Sequence, residues 1–231
     1  MVLLDALLPT LRTQIDTAAC AWLDDAAGRA ARGSVSQLLR AYTDASRHLG
    51  RAPLALDAHG AAVPADLIGM PLSHWTLEDA GRLVLLLSRY DGATDASEAE
   101  AAATHCYEQG DVREQVSWLR AVALLPRPER FLALVVDACR TSILPLFEAI
   151  ACENTYPASQ FPERNFNQMV LKALFNGIGL DRIVGLPARR NAELSRMARD
   201  YAAERQSAGR TIPPDISLAM LETVAPQRID G

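Results

Sequence analysis

Residues 152–176 read CENTYPASQFPERNFNQMVLKALFN, and this stretch holds side-chain types that the rest of the chain avoids. The asparagines, Asn154, Asn165, Asn167, Asn176 and Asn191, all fall between positions 154 and 191, and the one lysine among 23 basic residues, Lys172, lies with them. In a chain otherwise committed to alanine and arginine, a retained Asn or Lys points to a specific need. Laid on a wheel at about 100° per residue, Asn165–Asn176 places Asn165, Gln168, Lys172 and Asn176 in one narrow stripe. Phe166, Met169, Val170, Leu171, Ala173, Leu174 and Phe175 cover the rest, which predicts a core helix with a polar seam. Asn167 sits on the apolar side and needs partners if buried, so its amide is expected to pin the preceding YPxxxFP loop. In that loop Pro157 and Pro162 favour an extended segment from Asn154 to Pro162.

Outward from this stretch the chain reads as helices. A length of 231 residues supports one sizeable core, and a single domain over 1–231 is the expectation. Heavy alanine use with only 6% aromatics favours close-packed helices over a sheet. Leu3, Leu4, Leu7, Leu8, Leu11, Ile15, Trp22 and Leu23 repeat at helical spacing as a first amphipathic helix toward Gly28, and Ser34 caps a second to about Leu49. Gly50–Ser73 loses periodicity and is broken by Pro53, Gly60, Pro64, Gly69 and Pro71, which marks a long loop, a candidate lid or partner surface. Thr76 with Glu78 and Asp79 starts a helix to about Tyr90. Thr94–Gln109 stops at Gly110, and Asp111 caps the next helix, through Val122. Helical hairpins of this rhythm resemble tetratricopeptide or HEAT arrays, although no sustained repeat period of about 34 residues is present. The fold class is all-α: packed antiparallel helical hairpins.

Charge and motifs exclude several functions. A net charge of −5 argues against nucleic acid or an anionic membrane surface as the main partner, since both need a basic face. The apolar runs Leu83–Leu87 and Phe131–Val136 are far shorter than the roughly 20 residues of a spanning helix, and the start lacks a signal-peptide n-region, so a cytoplasmic protein is expected. The cysteines show no close pairing. No phosphate loop, nucleophile elbow or metalloprotease motif occurs, and His105 with Glu108 or His74 with Glu78 has metal-compatible spacing without a third ligand. No metal, cofactor or catalytic residue is assigned. Lys172 leaves three readings open: a structural cation capping carbonyls or pairing with Glu153 or Glu163, a pocket cation that holds a ligand with Gln168, or a desolvated Schiff-base amine. Arg196 and Asp200 form an i,i+4 pair on the exposed face of a helix whose buried face is Leu194, Met197, Ala198 and Tyr201.

The motifs NTYPxxxFPExNFNQMVLKALF (154–175), GLxRIVGL (179–186) and NxELxRMxxDYxxERxxAGRxxPPDI (191–216) resemble those of the bacterial EboA-domain proteins. Thr155 is the departure, standing where that pattern has proline. The resemblance implies an accessory role in secondary-metabolite handling or export, beside a prenyltransferase, a hydrolase and barrel enzymes encoded in the same gene cluster. Either these proteins or a small metabolite would be the partner. It marks Asn154, Tyr156, Pro157, Phe161, Asn167, Gln168, Lys172, Arg182, Asn191, Arg196, Asp200 and Tyr201 as candidate ligand- or partner-binding residues, and gives none a catalytic role. The alternative is an enzyme or sequestering protein for a small metabolite, prenylated or not, with Lys172 in the pocket.

Overall fold

The computed structural model describes residues 2–55 and 71–221. Most of the expected Gly50–Ser73 loop therefore lies outside the described residues. The described residues hold twelve α-helices and no strand, so the protein is all-α. They divide into two compact units, Met1–Gln160 and Phe161–Gly231.

The first unit is built around α4, Leu77–Gly92, which α1 (Val2–Arg12), α2 (Thr17–Arg32), α3 (Val35–Leu49), α5 (Ala96–Glu108) and α6 (Val112–Ala121) surround. A helix enclosed in this way must be covered on all sides, and every residue from Leu77 to Ser88 is buried. Thr76 and Asp79 form a reciprocal capping box at its start. Two glycines allow close approach: a side chain at Gly81 would strike Leu49, and one at Gly92 would strike the backbone of Ala31. Ser34 and Asp111 cap α3 and α6 as expected, each within a capping box.

The first amphipathic pattern is two helices rather than one. The chain breaks at Thr13–Asp16 because Asp16 accepts the Ala19 N–H at 2.8 Å as the cap of α2, while Gln14 exchanges two hydrogen bonds with the backbone of Ala55. Gly28 lies inside α2. Beyond α6 come α7 (Leu132–Ala138), α8 (Leu144–Ala151) and α9 (Tyr156–Gln160). The expected extended segment is thus helical over YPASQ, since Pro157 occupies a first-turn position where its missing N–H costs nothing.

The second unit contains α10 (Glu163–Asn176), α11 (Leu186–Arg189) and α12 (Ala192–Ser207), with single 3-10 turns at Leu180–Arg182 and Ile216–Ala219. Gly177 ends α10 in the left-handed region at φ 69°. Asn191 caps α12 by accepting the Leu194 N–H at 2.7 Å.

Candidate functional site

The candidate residues fall into three groups. In the first unit, Asn154 is buried and every polar atom of its amide is used on backbone. Nδ2 donates to Leu119 O and Ala149 O, each at 2.9 Å, and Oδ1 accepts the Tyr156 N–H at 2.9 Å. One side chain thereby joins the last turns of α6 and α8 to the start of α9. Tyr156 is buried beside it and donates its hydroxyl to Pro128 O at 2.8 Å; burial, with Glu129 second, pushes the phenol well up from its usual range. The role expected of Asn167, pinning the YP turn, belongs to Asn154.

In the second unit Asn167 instead pairs with Asn191. Its Nδ2 donates to Asn191 Oδ1 at 3.2 Å, and Asn191 Nδ2 returns a bond to Asn167 Oδ1 at 3.0 Å. The pair ties α10 to the cap of α12, which is how an amide on the apolar side of α10 avoids an unsatisfied burial. Phe161 is buried, and its carbonyl accepts from Arg189 Nη2 at 2.7 Å, while the same guanidinium lies 4.6 Å over the Phe166 ring. Arg182 is half-buried in the turn Leu180–Arg182. The Asn167–Asn191 pair and the Phe161–Arg189 bond serve the architecture of the motif.

The third group lines open space. A groove of about 380 Å³ runs between α10 and α12, lined by Gln168, Leu171, Phe175, Arg196, Met197, Asp200, Tyr201 and Glu204. Four of the candidates, Gln168, Arg196, Asp200 and Tyr201, meet there. Its wall is apolar and aromatic: Phe175 stands edge-on to Tyr201 with ring centroids 4.6 Å apart. Its rim is charged. Arg196 donates to Glu193 at 2.6 and 2.9 Å and to Asp200 at 2.6 Å, and the Glu193 bond holds that carboxyl below its ordinary range. A volume of this size with an apolar wall and a few polar groups suits a small amphipathic molecule. A second groove of about 540 Å³, between the end of α10 and the Thr211–Asp215 segment, shares Phe175.

Phe175 is the residue that the helical wheel misplaced. It was expected on the covered side of α10, yet it is 61% exposed, because the wheel gives an angle and α12 covers only part of the arc. The signal available was its place in the last turn of the helix, next to Asn176 and Gly177. Lys172 is half-buried and is not among the residues that line these two grooves, whereas Gln168 lines the first.

Another cluster escaped the sequence reading. Arg82, 2% exposed, donates to Tyr42 O at 3.0 Å and Ser117 Oγ at 2.8 Å, with Glu78 Oε2 3.4 Å away. Arg113 pairs with Glu78 and Arg120 with Asp79, each at 2.7 Å, and Ser117 donates to Asp79. These charges knit α4 to α6 in the first unit. An arginine four residues after Glu78, just before the apolar run Leu83–Leu87, was the available signal. Glu78 is therefore turned inward, and His74 faces Glu153 at 3.4 Å rather than Glu78.

A family model described as metabolite traffic protein EboA matches residues 3–220. No curated protein and no solved structure matches the chain. No helix of the described residues is long and apolar enough to cross a membrane.

Proposed function

The chain belongs to the EboA family of metabolite traffic proteins, and we propose that it serves that traffic as a non-enzymatic carrier or adaptor. It holds a small amphipathic secondary metabolite in the α10/α12 groove, in the cytoplasm, and passes it between the proteins encoded beside it. The observation that carries this reading is the groove itself. Leu171, Phe175, Met197 and Tyr201 offer an apolar wall, while Gln168, Arg196, Asp200 and Glu204 offer polar contacts at the mouth. Removing such apolar area from water contributes on the order of 25 cal/mol per Å² toward holding a ligand. The rim carboxylates Glu193, Asp200 and Glu204 are exposed to solvent, and the Arg196 bond lowers the Glu193 carboxyl, which favours binding over chemistry.

The test is native mass spectrometry of the full chain purified gently from cells of its source, beside Phe175→Ser. An added small mass on the wild type that is lost in the variant is the expected result. A bare wild-type chain, or an adduct unaffected by Phe175→Ser, overturns the groove as the carrier site. A co-purifying protein released by the same variant would instead make the groove an adaptor surface.

A further inference from the structure

The groove's charges point to the class of molecule it takes. We infer that the α10/α12 groove recognises an organic cation, an apolar body carrying a protonated amine or quaternary ammonium. The inference rests on the groove reading above and narrows it.

Carboxylates outnumber guanidinium groups on both sides of Phe175. In the α10/α12 groove Asp200 and Glu204 face Arg196; in the adjoining groove Asp181 and Asp215 face Arg205. Both arginines already hold partners. Arg196 is shared between Asp200 and Glu193, the latter just outside the lining. Arg205 donates to Thr211 O at 2.6 Å and to the Tyr201 hydroxyl at 3.3 Å, and lies over the Tyr201 ring at 5.7 Å. Glu204, one turn beyond Asp200, has no basic side chain within 4.0 Å among the described residues. An anion entering here would meet unbalanced carboxylates, whereas a cation would neutralise Glu204.

Phe175 supplies the second attraction. Its ring is 61% exposed, braced edge-on by Tyr201, and among the described residues no guanidinium or ammonium sits over it. Aromatic faces draw cations within about 6 Å, and an exposed ring beside an unneutralised carboxylate is the pairing used to hold ammonium groups. The ligand's apolar body would lie along Leu171 and Met197, with its charged end toward Glu204.

Two fluorescent probes separate the possibilities with the full chain at low ionic strength: auramine O, an organic cation, and anilinonaphthalene sulfonate, an anion. The expected result is tighter binding of auramine O. Asp200→Asn combined with Glu204→Gln weakens it about 3–10-fold, as does raising the salt, with no loss for the sulfonate. Phe175→Ala weakens both probes. All three positions are exposed, and circular dichroism verifies that the variants stay folded. If Phe175→Ala weakens both probes but the sulfonate binds as tightly as auramine O, or the double variant leaves auramine O unchanged, the cation inference falls and the groove stands. If Phe175→Ala changes neither, the groove reading falls and takes the inference with it.

Discussion

Replacing Asn154 tests whether one amide organises the junction of α6, α8 and α9. Asn154→Ala removes two donated bonds, to Leu119 O and Ala149 O, and one accepted bond, from the Tyr156 N–H, all inside the first unit. Each buried backbone group left without a partner costs about 1–3 kcal/mol, and partial hydration of the vacated space limits the sum. The expected loss is about 3–5 kcal/mol. With a urea dependence near ~2 kcal/mol per molar, the unfolding midpoint falls by about 1.5–2.5 M. Asn154→Asp is nearly isosteric, yet it is expected to be worse than alanine at pH 7. It keeps the acceptor for Tyr156 but sets a carboxylate oxygen against two carbonyl oxygens. Burial and those carbonyls raise the introduced carboxyl's folded pKa above its unfolded value of about 3.9. Its favourable contribution is then complete below that value and lost as pH rises through the folded pKa, so the variant recovers on acidification from pH 7 toward pH 5. Urea titrations followed by circular dichroism at both pH values decide the matter. A cost under about 1 kcal/mol for alanine, the range of an ordinary surface change, would refute the reasoning, as would an aspartate variant as stable as wild type at pH 7.

The next two predictions use the same urea titrations. Arg82→Met removes the donor from the Tyr42 carbonyl and Ser117 Oγ and leaves buried Glu78 with Arg113 alone, so it should cost about 3–5 kcal/mol, while adding Glu78→Gln restores part of it; strictly additive single effects would show that the two are not coupled. Asn191→Ser keeps a cap for the Leu194 N–H but loses the amide pair with Asn167, so it should cost about 1 kcal/mol, and Asn191→Ala about 1 kcal/mol more. Burial, then Glu114, pushes the Cys106 thiol from 9.0 up to about 12. Because the folded value is raised, its contribution to stability is intact below pH 9 and lost as pH rises toward 12, and thiol reagents at pH 8 should label Cys20 while leaving Cys106 unmodified until the chain unfolds.

Parts of the candidate site were legible because their signals are local or compositional. The scarcity of asparagine singled out Asn154, Asn167 and Asn191, and each makes buried or capping bonds that no apolar residue could replace. What each amide touches was not legible. Leu119 lies 35 residues before Asn154, and Asn191 lies 24 after Asn167, so spacing along the chain carries no trace of either contact. Arg196 and Asp200 were read as a solvated pair. They are exposed, but the helix that bears them runs beside α10, and that neighbour turns a surface pair into the rim of a groove.

Sequence alone determined that the chain is helical and where most helices begin. Ser34, Thr76 and Asp111 satisfy orphan amides within their own first turns, and Gly177 adopts a left-handed stop that needs no partner. Only the tertiary structure decided that α4 is enclosed on every side, that Arg82 finds its partners on α3 and α6, and that Phe175 faces outward beside Tyr201. The physical reason is range. A cap or a helical turn closes over three or four residues, but which arc of a helix is covered depends on side chains brought in from elsewhere in the chain.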